Sequence, residues 1–232
     1  LATDDARCSN KRIAHLFIAK SALIISTNGV FHSKIMQPIA ITQGDCAGIG
    51  PEIVAKAFRD APDDLHHCFV VGDVETLRRA AGCIVRPGLP SVPVARIHAP
   101  GDVRGVPPRC VPVLPLPGIA APQPWRRVSA AAGRAAADSV VWAARAALRG
   151  EVAALVTAPL HKEALSAAGV DFPGHTELLQ AEAAAHAGVA IAQMPVRMML
   201  ANDELRTVLV SIHMSLRDAI EAVTIEQVLQ SL

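Results

Sequence analysis

Short unbroken apolar runs alternate with amphipathic stretches from Pro38 onward. Pro38 to Thr42 is a β-rich run, Gly44 to Gly50 a glycine loop, and Pro51 to Arg59 a helix with proline in its first turn, where a missing N–H does no harm. "HCFVVGD" (His67 to Asp73) has the uninterrupted apolar character of a buried strand, and "VETLRRAAG" (Val74 to Gly82) reads as a helix closed by glycine. Strand, helix, strand, helix implies a parallel sheet covered on both faces, an α/β fold.

The rhythm breaks between residues 86 and 124, where prolines crowd together, and only short extended segments such as Val111 to Leu114 are expected. This stretch reads as a crossover between two lobes. Val128 to Glu151 is then one long helix, and Val152 to Leu160 a second buried strand running into a short helix that ends at Gly169. Glu177 to Ala187 is rich in helix formers, with Gly188 as its stop. "VRMMLAND" and "LRTVLVSIH" are apolar runs parted by a turn near Asn202-Asp203, a hairpin or two adjacent strands. Thr224 and Gln227 have the spacing of a capping box for a last helix. The predicted domains are a first α/β lobe over 36–125 and a second over 126–232, with no internal repeat.

Composition narrows the function more than the fold. Half of the 232 residues are hydrophobic (51%), aromatics are scarce (3%, with no Tyr), and the net charge is +1. Few stacking rings and no basic excess argue against a nucleic-acid surface. Arg126, Arg127 and Arg134 do cluster, but among alanines and apolar residues, and they read as a solvated helix face. The five cysteines are odd in number and lack C-x-x-C spacing, which suggests neither a disulfide framework nor a zinc ribbon and makes a reducing cytoplasmic setting the default. "RIAHLFIAKSALIIS" (Arg12 to Ser26) is interrupted by Lys20 and too short and charged to span a bilayer. Met36 stands directly before the first clean strand, so residues 1–35 are read as an upstream extension.

Three places carry candidate chemistry. "QGDCAGIGPE" (Gln43 to Glu52) links a strand to a helix, the context of a phosphate loop, yet Gly44, Gly48 and Gly50 fit neither G-x-G-x-x-G nor the Walker spacing. A tight strand-to-helix turn is the competing explanation, and Asp45 could hold a positive donor or a metal-bound water. "VTAPLHKEAL" places Thr157, His161 and Lys162 at the carboxyl end of a strand, where open α/β sheets bind ligands. In "DFPGHTELL", Pro173-Gly174 is a turn pair and Thr176 a candidate N-cap, so that His175 lies just outside a helix N-terminus, a spot suited to an anion such as phosphate. The alternative there is an ordinary capped helix with a solvated histidine. His213 ends "LVSIH"; a lone imidazole is a possible metal ligand or a satisfied interior histidine.

Taken in order and spacing, "ITQGDCAGIGPEIVAKA", "VTAPLHKEALSAAGVDFPGHTELL" and "MMLANDELRTVLVSIHMSLRDAIEAVT" resemble the 4-hydroxythreonine-4-phosphate dehydrogenase family over about residues 36 to 232. The resemblance implies a two-lobed α/β/α fold with mostly parallel sheets, like the isocitrate and isopropylmalate dehydrogenases, and a homodimer with a shared active site. It implies NAD-dependent oxidation of a small phosphorylated hydroxy amino acid, then decarboxylation, with a divalent metal (Zn, Mg or Co) held by three histidines. By position His175 and Thr176 match the family's substrate-binding pair and His213 the first metal ligand. Segments like the other two ligands' motifs, N-P-H-A-G and Y-H-D-Q-G, are absent from the 232 residues, so the chain is expected to be a truncated, inactive portion of such an enzyme. A paralogue acting on phosphorylated threonate or erythronate is the alternative, as is a fragment that only binds a phosphorylated metabolite or a partner subunit; Cys46 stands where family members often have proline.

Overall fold

The computed structural model describes residues 15–19, 22–26, 37–88, 90–118, 122–202, 204–212 and 214–231. The first elements, β1 (His15–Ala19) and β2 (Ala22–Ser26), form an antiparallel hairpin. β3 (Ile39–Thr42) leads through the glycine loop into α1 (Gly50–Asp60), and β4 (Cys68–Gly72) leads into α2 (Val74–Cys83). β5 (Val94–Arg96), a 3-10 turn (Pro100–Gly105) and β6 (Val111–Pro115) occupy the proline-rich stretch. Then follow α3 (Ala130–Leu148), β7 (Ala154–Thr157), α4 (Lys162–Ala167), α5 (His175–Ala187), the hairpin of β8 (Met199–Ala201) and β9 (Arg206–Val208), α6 (Leu216–Ala222) and α7 (Ile225–Leu229).

Five strands form one parallel sheet in the order β5-β6-β4-β3-β7. Alternation of side chains distributes them between two cores. Ala40, Phe69, Val71, Leu114 and Leu155 face α3 and α5. Ile41, Cys68, Val70, Val111 and Val113 face α1 and α2. Both sheet faces are thus covered by helices, the α/β arrangement expected. The sheet takes strands from both sides of the 125/126 position, because β7 pairs with β3 residue for residue, Ile39 opposite Ala154 through Thr42 opposite Thr157.

The proline-rich stretch supplies two strands of this sheet rather than a crossover. Prolines fit inside β6 because each falls where no partner needs its donor. The Val111 N–H points to β5, bonding the carbonyl of Pro93 at 2.9 Å, so even-numbered N–H groups point to β4 and odd ones to β5. Pairing with β4 begins at Val113, past Pro112. Pairing with β5 ends at Val113, before Pro115.

Helix starts follow from local chemistry. Asp73 caps α2, its carboxylate accepting the Thr76 amide at 2.7 Å, and Ser129 caps α3 through the Ala132 amide at 3.1 Å. α3 begins at Ala130, later than the predicted Val128, since Ser129 takes the cap. α6 and α7 bury none of their residues, and Leu216, Ile220, Ile225 and Leu229 are exposed. Among the described residues, no helix is long and apolar enough to cross a membrane.

Burial also predicts thiol behaviour. Desolvation pushes the Cys46 and Cys68 thiols up to about 11 and raises Cys110, whereas Cys83 is exposed. The thiolate is the reactive form, so iodoacetamide at pH 8 should label Cys83 in the native protein and reach Cys46, Cys68 and Cys110 only after unfolding. Mass-spectrometric labelling of Cys46 at the rate of Cys83 would contradict this burial.

Candidate functional site

β3 and β7 lie side by side and end together, so the loops after them open at the same carboxyl edge. β4, β6 and β5 lie to one side of β3 and β7 to the other. The chain therefore reverses its direction of sheet growth here, which is where open α/β sheets leave a crevice for ligands. The Asp45 N–H donates to the Pro159 carbonyl at 2.9 Å, locking the glycine loop to the loop before α4. Gly44 sits at φ +70°, and a Cβ there would collide with the same Pro159 carbonyl, so glycine is required on both counts. The Asp45 carboxylate accepts the Ala47 amide at 2.9 Å, and the Asp45 carbonyl accepts the Gly48 amide at 3.1 Å. Asp45 therefore shapes the loop as well as facing the crevice.

His175 belongs to the same neighbourhood. It is the first residue of α5, with Gly174 in the N-cap position and Thr176 in the first turn. The expected Thr176 cap is thus displaced by two residues: the Pro173-Gly174 turn delivers the chain into helical geometry at once, and Thr176 is part of the helix rather than its lid. The imidazole is partly buried, and burial holds its pKa below the ordinary value, opposed by the Ala158 carbonyl and the Glu177 carboxylate. Its Nε2 is buried without a hydrogen-bond partner among the described residues. An unpaired polar atom costs free energy unless something outside the described chain meets it, so this ring is the group best prepared for a ligand.

His213, the expected metal ligand, lies outside the described residues. Among the described residues no group of three or more His, Cys, Asp or Glu side chains is placed to hold a metal ion.

The arginine cluster corrects the sequence reading. Arg126 and Arg127 precede α3 instead of lying on its face, and only Arg134 is helical, its guanidinium donating to the Ala168 carbonyl at 2.6 Å. Arg79 of α2 fastens the segment before α3 onto the glycine loop. It donates to the carbonyls of Gln123 at 2.7 Å and Cys46 at 3.1 Å, and its guanidinium lies 3.9 Å from the centre of the Trp125 ring. The Arg126 N–H donates to the Ala47 carbonyl at 2.9 Å, with Arg126 at φ 59°, a left-handed conformation uncommon for a side-chain-bearing residue. The result is a cavity of about 710 Å³ whose walls include Asp45, Glu52, Trp125, Arg126, Arg127 and His161. The two arginines and the tryptophan carried no signal in the sequence beyond charge, since only the fold brings them against the glycine loop.

A family model described as pyridoxal phosphate biosynthetic protein PdxA matches residues 64–232. A 4-hydroxythreonine-4-phosphate dehydrogenase of Beijerinckia indica is 44% identical over 183 residues, covering 79% of this chain and 50% of the relative. A D-threonate 4-phosphate dehydrogenase of Salmonella typhimurium is 34% identical, over 82% of this chain and 55% of its own. A solved 4-hydroxythreonine-4-phosphate dehydrogenase from Burkholderia phymatum superposes with a TM-score of 0.72 at 32% identity, covering 85% of this chain and 56% of that one. The chain spans about half the length of the curated relatives it matches.

Proposed function

The chain belongs to the pyridoxal phosphate biosynthetic protein PdxA family, and on that premise we propose that the whole protein is an NAD-dependent dehydrogenase of 4-phosphohydroxythreonine. The secondary hydroxyl loses its proton, the carbon passes a hydride to NAD, and the resulting β-keto acid loses carbon dioxide to give 3-amino-2-oxopropyl phosphate. The protein would act as a cytoplasmic homodimer with a shared site. A divalent metal (zinc, magnesium or cobalt) would enter with His213 as its first ligand and supply Lewis-acid chemistry; the described residues offer no three-ligand cluster.

The observation that carries this reading is the state of His175. Its neutral ring, with a free buried Nε2, opens α5 beside the loop that follows β7. The Ala158 carbonyl holds the ring's other nitrogen as its donor, so Nε2 donates to an anionic substrate oxygen once the anion has drawn a proton onto the ring, joined by the Thr176 hydroxyl and the free first-turn amides of a 13-residue helix. A hydrogen bond to a charged group is worth about 1.5–3 kcal/mol, or roughly tenfold to a hundredfold in binding. The test uses a full-length protein carrying these residues. His175→Ala should lower kcat/KM for 4-phosphohydroxythreonine by about 10–100-fold, mostly through KM, with NADH formation as the readout. Unchanged kinetics would remove His175 from the substrate site.

A second reading keeps the chemistry and changes the substrate to phosphorylated threonate, favoured by the relatives named D-threonate 4-phosphate dehydrogenase. Assaying both substrates on the same protein separates the two: preference for the compound without the amino group establishes the second.

A further inference from the structure

We infer that β7 presents a strand-accepting edge and that the chain's own β1–β2 hairpin covers it. β7 is the last strand of the five-stranded sheet, so one side of it has no ladder partner among the described residues. Which residues face that side follows from the pairing. The Ile39 and Gln43 N–H groups donate to the carbonyls of His67 and Val71, on the β4 side, so Ala40 and Thr42 turn theirs toward β7. In a parallel ladder only one residue of each register pair bonds across. Leu155 and Thr157, opposite Ala40 and Thr42, therefore aim their own N–H and C=O groups away from β3, at the open edge. Such a row of unpaired groups is a template for another strand.

Leu155 is nevertheless fully buried, and Ala154 is only 8% exposed. Cover on the outer side comes from β2, which has Cα atoms within 8 Å of those of β7. β2 also reaches α3, and β1 reaches β8. The sequence of the hairpin suits this position. Its successive register pairs Leu16–Ile25, Phe17–Ile24 and Ile18–Leu23 are all apolar, so neither face of the ribbon is polar. A two-stranded ribbon is at best marginally stable alone in water, and one that is apolar on both faces needs shelter on both. A seat along β7, against α3 and β8, supplies that shelter.

Among the described residues no ladder joins β2 to β7, so packing holds the cover, and it is the part of the sheet most easily lifted. Lifting it bares the strand that leads to Ala158 and Pro159, whose carbonyls meet His175 and the glycine loop. A hairpin seated in cis excludes a strand from a second copy, which is the hazard an open edge carries. The hairpin lies outside residues 64–232, so it is no part of what the family model describes, and the inference stands independently of the dehydrogenase reading.

The test uses the full chain with Cys8→Ser and Cys83→Ser. Ile24→Cys in β2 and Val156→Cys in β7 should be joined within one chain by a short bis-maleimide, and urea unfolding should abolish the product. Ile24→Cys in a chain that keeps Cys83 is the control. Cys83 belongs to α2, which packs against β5 at the opposite edge of the sheet, so that pair should stay unlinked.

Hydrogen exchange is the second readout. Leu23→Asp/Ile24→Asp, with circular dichroism unchanged, should speed exchange of the outward Leu155 amide at least about tenfold, while the Val156 amide, in the β3 ladder, changes by less than about twofold. Absence of the cysteine crosslink overturns the inference. A crosslink only between two chains also overturns it, in favour of an edge filled by a second copy. An unchanged Leu155 amide means that the hairpin covers nothing there. Equal acceleration of both amides also defeats the inference, because the hairpin would then support the whole sheet instead of covering one edge.

Discussion

Gly133→Ala should cost the fold about 3 kcal/mol, although alanine is the better helix former. Gly133 lies in the first turns of α3, where α3 crosses α4. A Cβ built there would lie 2.8 Å from the Leu165 amide nitrogen and closer still to the carbonyl of Ala164. Both obstacles are backbone, so no side-chain rotation relieves them and the helices must part. Overpacking of this kind costs about 1–3 kcal/mol, and a rigid obstacle places it at the upper end. For a chain of this size that lowers Tm by roughly 6–12 °C. Gly82→Ala is the matched control. Gly82 lies near the end of α2 with nothing within 4 Å of its built Cβ, so the same substitution should stabilise by about 0.5–1 kcal/mol. Calorimetric melts of the two variants should move in opposite directions. A neutral Gly133→Ala would mean that α3 and α4 are not in backbone contact. Such parting also reaches the site, since α4 continues directly from the loop that meets His175 and the glycine loop.

The parts of this fold that sequence could reveal are those where one local pattern suffices. Buried parallel strands show as unbroken apolar runs, and β3, β4 and β7 fall where such runs stand. Helix ends at glycine were legible in part: Gly188, predicted as the stop of α5, occupies its C-cap at φ 67°, whereas Gly82, predicted to close α2, lies inside that helix, which runs on to Cys83. β6 was foreseen as the extended segment Val111 to Leu114, but its place in the sheet, and β5, were not, because proline normally marks a loop. Only the register, with β4 pairing starting after Pro112 and β5 pairing ending before Pro115, shows why two prolines are harmless there.

The site divides in the same way. His175 could be picked out because a turn pair, a histidine and helix formers follow one another in the chain. Its burial and orphaned Nε2 could not, because they depend on Ala158, a residue of a different loop. Arg126 and Arg127 were assigned to a helix face because charge among alanines looks the same on a solvated helix and on a cavity wall. The clamp that decides between them, Arg79, lies 44 positions upstream of its Gln123 partner.

Gln43→Glu should be tolerated near pH 4 and cost up to about 3.5 kcal/mol at pH 7. Gln43 is fully buried where β3 ends, with its Oε1 accepting the Asp73 amide at 2.8 Å and its Nε2 unpartnered among the described residues. Gly72 leaves room for it, since a Cβ there would overlap the Gln43 amide group. Glutamate has the same shape and keeps the acceptor for Asp73, so the change isolates charge. Burial disfavours the ionised form, which raises the carboxyl's folded-state pKa above its unfolded value of about 4.3, by up to roughly 3–5 units for full burial. The sign follows from linkage. Below about pH 4.3 both states are protonated and the penalty is absent; above it the unfolded chain ionises first, and stability falls by about 1.4 kcal/mol per pH unit until the folded-state pKa is reached. Gln43→Met gives the contrasting profile. It strands the Asp73 N–H at about 1–3 kcal/mol, a cost independent of pH. It also loosens the residue whose carboxylate caps α2. Urea denaturation of both variants at pH 4 and pH 7 separates the two terms. A Gln43→Glu penalty equal at the two pH values would show that water or a donor already reaches this amide, and the orphaned Nε2 beneath the glycine loop would then mark a solvated channel instead of a dry hinge between β3 and β4.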